Sequence, residues 1–418
     1  MMIKDLSCID VSEVEDFSDA FVEVRHLNKD INISCWDVSN GKKFTNMFKN
    51  VIGSEYCDLS KWNVSNGKIF KNMFYGCRNL KCDLSGWDVS NGVDFSGMFY
   101  SCAALNCDLS GWDVSNGKNF YKMFCGCTSL NCDLSGWDVS NAVSLSNMFA
   151  SCSTFNADLS GWNVSNVRSF NTMFLNCTSF NCDLSRWDVS NCVDFRYMFC
   201  GCTLLNCDLS KWDVHNGIMF EHMFFRCESL KTDIRSWDMK NAKNIYKFIN
   251  ESPGIISDVQ GTDDESTVTY IPVNKEDLIE LIDESISNEW YDLNDIDVSL
   301  IKDFSYLFYD LDSVKNLEAA AESDDYFQVD FLLDISGWDV SNGENFSHMF
   351  DGADFIDFES EGFKNWNVSN GKDFSYMFAN HYGTNPPIFF DLSKWDVSNG
   401  ENFEGMFKNF NQSLRSSL

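Results

Sequence analysis

Cysteine, aspartate and asparagine recur in this chain at regular intervals, and each could do chemistry. Cys77, Cys102, Cys127, Cys152, Cys177, Cys202 and Cys227 stand 25 residues apart. Cys57, Cys82, Cys107, Cys132, Cys182 and Cys207 form a second series. Thiols so placed could bind zinc, pair as disulfides or act as nucleophiles. A tetrahedral zinc site needs four ligands, and the pattern repeats without a second pair or supporting histidines. The second series is interrupted by Ala157 and Thr232, and the first by Ala353 and His381. Positions that accept Cys, Ala or Thr ask for a small side chain, so both series read as small residues facing inward.

Aspartate recurs four residues before a tryptophan (Asp58, Asp83, Asp108, Asp133, Asp158, Asp183, Asp208, Asp233) and again just after it, as at Asp88 and Asp113. Stacked carboxylates repel, and calcium between repeats would offset that. Acceptance of backbone N–H groups at a bend would serve equally well, with the neighbouring asparagines forming a similar ladder. Asn63, Asn163 and Asn367 replace Asp in the second series, which favours hydrogen bonding over charge, and the glycine signatures of calcium-binding repeats are absent. The five histidines, His26, His215, His222, His348 and His381, join no Ser or Cys in a pattern that breaks the repeat. A nucleophile–base site would need such a break. No phosphate loop or dinucleotide glycine motif appears. The expectation is no catalytic residue, no metal, no cofactor and no enzyme.

The elements that carry these residues follow one beat. Trp36, Trp62, Trp87, Trp112, Trp137, Trp162, Trp187, Trp212 and Trp237 are separated by one step of 26 and then by 25 throughout. A constant period of this kind implies a stack in which each unit buries its apolar face on its neighbours. After each Trp come Asp or Asn, Val, Ser-Asn, then Phe, Met-Phe and Cys, as in Phe95, Met98, Phe99 and Cys102. That spacing is one face of a two-turn helix, and Asp94, Asn119, Ser144, Ser169 and Asp194 stand where its capping residue belongs. Alternation over Leu105–Ser110 predicts a strand before the Trp. Units with Ile9–Ser12 and Ile296–Ser299, and those of Trp338, Trp366 and Trp395, bring the number to about 14. The expected fold is an α/β solenoid, a right-handed stack with a parallel sheet on one side and short helices on the other.

The string DLS-x-WDVSN-x-x-x-F-x-x-MF-x-x-C resembles the repeat of BspA-like bacterial surface proteins, also found in mycoplasma surface lipoproteins. The resemblance covers the chain except for 250–290. It implies a leucine-rich-repeat-like architecture and an interaction scaffold rather than an enzyme, and it supplies no catalytic residues. Its surface members are secreted or lipid-anchored adhesins. This sequence lacks a signal peptide, an anchor and any apolar run of membrane-spanning length. That favours a cytoplasmic or virion-associated relative, with a calcium-dependent adhesin as the alternative.

Charge divides the chain. Residues 1–250 carry 28 acids and 23 bases, and residues 251–418 carry 35 acids and 8 bases. A net charge of −32 argues against nucleic acid and anionic membranes as partners. The organisation reads as 1–249, regular repeats; 250–290, an acidic insertion with an amphipathic helix carrying Leu278, Ile279, Ile282 and Ile286; and 291–418, irregular acidic repeats continuing the same solenoid. Insertions on one edge of a repeat stack often build its binding surface. The expected partner-binding residues are therefore Tyr326, Phe327, Phe331, His381, Tyr382, Phe389 and Phe390. Positions that vary between units, six before Trp (Lys81, Asn106, Asn131, Lys231) and ten after it (Gly97, Lys122, Thr172, Tyr197, His222), would also read a partner. The partner is a protein of unspecified identity, with end-to-end self-association as a further possibility.

Overall fold

Each repeat hands its backbone amides to the next repeat, and this shapes everything else in the molecule. The computed structural model describes residues 6, 9–22, 24, 33–51, 58–259, 271–287, 291–309, 311, 332–353, 355–358, 361–379 and 391–409. They fall in two compact units, Met1–Ser266 and Thr267–Leu418.

In the first unit, parallel bridges join the residue before each repeat's first phenylalanine, or before Leu145 and Ile245 in its place: Asp16, Lys43, Ile69, Asp94, Asn119, Ser144, Ser169, Asp194, Met219 and Asn244. The amides of Phe70, Asn72, Phe74 and Gly76 donate to the carbonyls of Asp94, Ser96, Met98 and Tyr100 at 2.7–2.9 Å. The amides between them turn inward. Those of Met73, Tyr75 and Cys77 donate three residues back, to Phe70, Asn72 and Phe74, at 3.0–3.1 Å.

The expected two-turn helix is therefore absent from this segment, which is a run of tight turns. A helix spends its amides four residues back; here alternate amides bridge repeats. The position ten after Trp also adopts left-handed backbone: Asn72 (φ 54°), Gly97 (58°), Lys122 (54°), Asn147 (58°), Thr172 (55°), Tyr197 (54°) and His222 (50°). The foreseen capping residues do cap, but they cap a turn: Asp94 Oδ1 accepts from the Ser96 amide at 2.9 Å and Asn119 Oδ1 from the Tyr121 amide at 3.0 Å.

The strand expected before each Trp also differs. Leu105–Leu109 carries no ladder, and Ser110 begins a turn. Pairing at this place in the repeat occurs between β1 (Thr232–Asp233) and β2 (Ile255–Ile256), which are parallel with Thr232 opposite Ile255. In the second unit it is reduced to the bridges Asp292–Asp334 and Leu333–Ile356. Elsewhere side chains replace the ladder: the amides of Asn131, Asn156, Asn181 and Asn206 donate to Oδ1 of Asn106, Asn131, Asn156 and Asn181. Part of the column six before Trp thus holds repeats together.

The interior is built from stacked rings. Trp87, Trp112 and Trp137 lie 6.3–6.4 Å apart with planes within 1°. Phe95 stacks on Phe120 and Phe99 on Phe124, both at 5.6 Å. The glycine before each first Phe makes room for its ring. A Cβ on Gly92 would lie 2.2 Å from Phe95 Cζ and 2.9 Å from the Val89 carbonyl oxygen. Where Val167 replaces that glycine, Phe170 tilts 34° from Phe195 and stacks on Trp187 instead. Where Ala142 replaces it, the ring becomes Leu145.

The second unit repeats these rules with bridges Asp303, Asn345, Asp373 and Asn402 and stacked Trp338, Trp366 and Trp395. It adds α1 (Lys275–Ser287) and a one-turn α2 (Glu361–Lys364). Asn274 Oδ1 caps α1 by accepting from the Asp277 amide at 2.7 Å. Leu278, Ile282 and Ile286 pack into the core of their own unit, with Ile279 partly buried beside them.

Candidate functional site

The repeated polar residues face a common fate: the backbone uses them. Asp83 Oδ1 accepts from the Ser85 amide at 3.0 Å and from Ser85 Oγ at 2.7 Å, and Asp108 and Ser110 repeat the arrangement. Just after the Trp, Asp88 accepts from the Ser90 amide and Asn63 from the Ser65 amide. Those serine hydrogen bonds hold Asp83, Asp108 and Asp158 below the ordinary carboxylate value of 3.8. Asn91, Asn116 and Asn141 each donate Nδ2 to a serine carbonyl one repeat earlier, at 2.6–2.8 Å. The indoles do likewise, with Trp112 Nε1 donating to the Leu84 carbonyl at 3.0 Å, except that the buried Trp366 Nε1 has no hydrogen-bond partner among the described residues.

The first cysteine series has a role that its spacing alone did not disclose. Cys102, Cys127, Cys152, Cys177, Cys202 and Cys227 are buried free thiols. Each Sγ donates to the carbonyl of the second Phe of the preceding repeat, at 2.9–3.0 Å. At the next step Ser252 Oγ donates to the Phe224 carbonyl in the same way. Burial pushes the Cys102 and Cys127 thiols far above their ordinary value of 9.0 and lifts Cys107 to about 12. Such thiols are poor nucleophiles and poor metal ligands at neutral pH. Among the described residues no group of three or more His, Cys, Asp or Glu side chains could hold a metal ion.

The uniform pattern breaks in two places, both on the left-handed column and its neighbours. In the first unit Arg196 and Asp194 form a buried pair, Nη2 to Oδ2 at 2.7 Å. Next to it, buried Glu221 accepts from Tyr197 Oη at 2.7 Å and from Asn244 Nδ2 at 3.0 Å. His222 stacks on Tyr197 at 4.7 Å, with its Nδ1 3.4 Å from Glu221. In the second unit Tyr306 stacks on His348 at 4.3 Å and His348 on Tyr376 at 4.8 Å. His348 Nδ1 lies 2.6 Å from Asp351 Oδ2, and Tyr376 Oη donates to Glu404 at 2.9 Å. Tyr309 meets Tyr306 edge-on at 5.7 Å. Tyr306 and Tyr309 are 46% and 54% exposed.

All seven expected partner-binding residues, Tyr326, Phe327, Phe331, His381, Tyr382, Phe389 and Phe390, lie outside the described residues. The variable column ten after Trp is brought together, and it holds Tyr197, His222 and the Tyr306–His348–Tyr376 stack. His348 was expected in this exposed column; Tyr306 and Tyr376 were missed. Their signal was an aromatic or imidazole ring recurring at one position of the repeat.

A chain whose repeated residues are spent on joining one repeat to the next is a repeat protein. It belongs to the DUF285 family, described as "Mycoplasma protein of unknown function", whose pattern matches residues 1–110, 53–162, 143–262 and 316–417. No curated protein matches it. Among the described residues no helix is long and apolar enough to cross a membrane.

Proposed function

We propose that the protein is a non-enzymatic scaffold for protein–protein contact, built as a right-handed solenoid of about 14 turns similar to leucine-rich repeats. One observation carries the reading. Polar side chains recurring in every repeat serve the backbone, whereas the residue ten after Trp varies between repeats and in Thr267–Leu418 forms the Tyr306–His348–Tyr376 stack, whose end ring Tyr306 is exposed. Recognition needs positions that differ, and exposed aromatic clusters are the usual anchors of a protein interface. The ladder of unpaired, buried thiols fits a reducing compartment, and so a cytoplasmic setting.

The test is affinity capture on the immobilised full-length chain, comparing wild type with the Tyr306→Ser/Tyr309→Ser variant at matched melting temperature. The expected result is a protein that wild type retains and the variant loses. Retention of no macromolecule by either would overturn the scaffold reading. The calcium-adhesin alternative lacks support of this kind, because the described aspartates of both repeated columns already accept from an amide. Calcium is expected to leave the melting temperature unchanged.

A further inference from the structure

Aromatic rings across this molecule are paired with cations from its own chain. Lys49 lies over Tyr75 at 5.4 Å, Lys122 over Tyr121 at 4.7 Å, Arg226 over Phe225 at 5.7 Å and Lys247 over Tyr246 at 4.8 Å. In the second unit Lys408 lies over Tyr376 at 5.3 Å, at one end of the Tyr306–His348–Tyr376 stack. At the other end Tyr306 and Tyr309 are the exposed tyrosines among the described residues, and no cation of the described residues lies over either ring. They belong to the base-poor part of the chain, where 251–418 holds 35 acids against 8 bases.

We propose that Tyr306 and Tyr309, backed by His348 and Tyr376, form a docking surface for an arginine-bearing segment of a partner protein. This rests on the scaffold reading above and names the chemistry of the partner. The outer face of Tyr306 offers a π surface already rigid on its inner side, where the His348 ring is held by Asp351. A guanidinium is planar and weakly hydrated, so it stacks on such a face better than a lysine ammonium does. The excess of acids over bases in residues 251–418 raises the local concentration of a basic segment, and Lys275, whose Nζ donates to the Ser305 carbonyl at 3.2 Å, is the cation it must pass beside Tyr306. The edge-on Tyr309 supplies a second ring beside the first. Charge alone would attract lysine and arginine equally; the rings make the distinction.

The experiment is calorimetric titration of the full-length chain at two salt concentrations with two peptides of equal length and charge. One repeats Arg-Gly and the other Lys-Gly. The arginine peptide is expected to bind about fivefold tighter, and this preference should persist at the higher salt. Tyr306→Ser/Tyr309→Ser should erase the preference and leave lysine-peptide affinity unchanged. Tyr121→Ser, which removes a ring with its own lysine, should leave the preference intact. Equal affinity for both peptides, or a preference that survives the double substitution, would overturn the proposal. Failure here is separable from failure of the scaffold reading: a captured protein that the double variant still retains would sink the arginine site alone.

Discussion

Single side chains in this protein are judged by what they do for the backbone of the next repeat. Trp137 is 3% exposed, stacks on Trp112 and donates to the Leu109 carbonyl at 3.0 Å. Trp137→Ala should therefore cost ~3–5 kcal/mol, measured by chemical denaturation, because it leaves both a cavity and an unsatisfied carbonyl. A loss under ~1 kcal/mol would place the ring outside the load path. The cysteines make a subtler test. Cys127→Ala should cost about 1 kcal/mol and Cys127→Ser less, since a hydroxyl can donate as the thiol does and Ser252 already does so. The small, buried character of the two cysteine series was legible from their replacement by alanine, and in the second series by threonine, elsewhere in the chain. The donor role of the first series was not, because a period says nothing about which carbonyl lies within reach.

At the level of the element, the side-chain spacing was legible and the backbone was not. Apolar residues at Phe95, Met98, Phe99 and Cys102 face one way in a helix, and they face one way in alternating right- and left-handed turns as well. The distinguishing sign was the residue ten after Trp. Asn46, Asn72, Gly97 and Asn147 are types that tolerate positive φ, and a helix interior has no reason to prefer them. Thr172 is the β-branched exception at φ 55°. Thr172→Gly should raise stability by about 1 kcal/mol, and a melting curve that falls instead would show that its hydroxyl bond to the Asn171 carbonyl matters more. The glycine–phenylalanine pair predicts a coupled effect. Gly92→Ala should cost about 1–3 kcal/mol by overpacking Phe95, and Gly92→Ala/Phe95→Leu should recover part of it, as at Ala142 and Leu145. Additive losses in the double-mutant cycle would refute that coupling.

For the whole molecule, charge decides how stability responds to acid. Asp58, Asp83, Asp108, Asp133, Asp158, Asp183 and Asp208 are held below 3.8 by serine hydrogen bonds, and the paired Asp233 is lowered to about 2. Depressed carboxylates contribute stability above their unfolded values and lose it as pH falls through the folded ones. Asp94 acts in the opposite sense, since burial pushes its carboxyl up and acid relieves it. The lowered groups outnumber it, so the urea midpoint should drop between about pH 4 and pH 2 at constant ionic strength. A rising midpoint would mean that burial, not hydrogen bonding, dominates the aspartate columns. The charge division at residue 250 was legible from composition. The exposed tyrosine ladder was not, because stacking across repeats 42 and 28 residues apart depends on where the inserted segments leave the repeat.

The asparagine ladder also governs chemical ageing. Eight of its members precede glycine: Asn40, Asn66, Asn91, Asn116, Asn216, Asn342, Asn370 and Asn399. Asn-Gly is the sequence most prone to deamidate, by attack of the glycine nitrogen on the asparagine side-chain carbonyl carbon with release of ammonia. In the folded chain each of those nitrogens is engaged: the Gly92 and Gly117 amides donate to the Val89 and Val114 carbonyls at 2.7–2.8 Å, and the asparagine amide is pinned one repeat earlier. Succinimide formation should therefore be slow in the native protein and rapid once a repeat opens. Peptide mapping after weeks at 37 °C should find isoaspartate accumulating first wherever the stack frays, a built-in record of which repeat lets go.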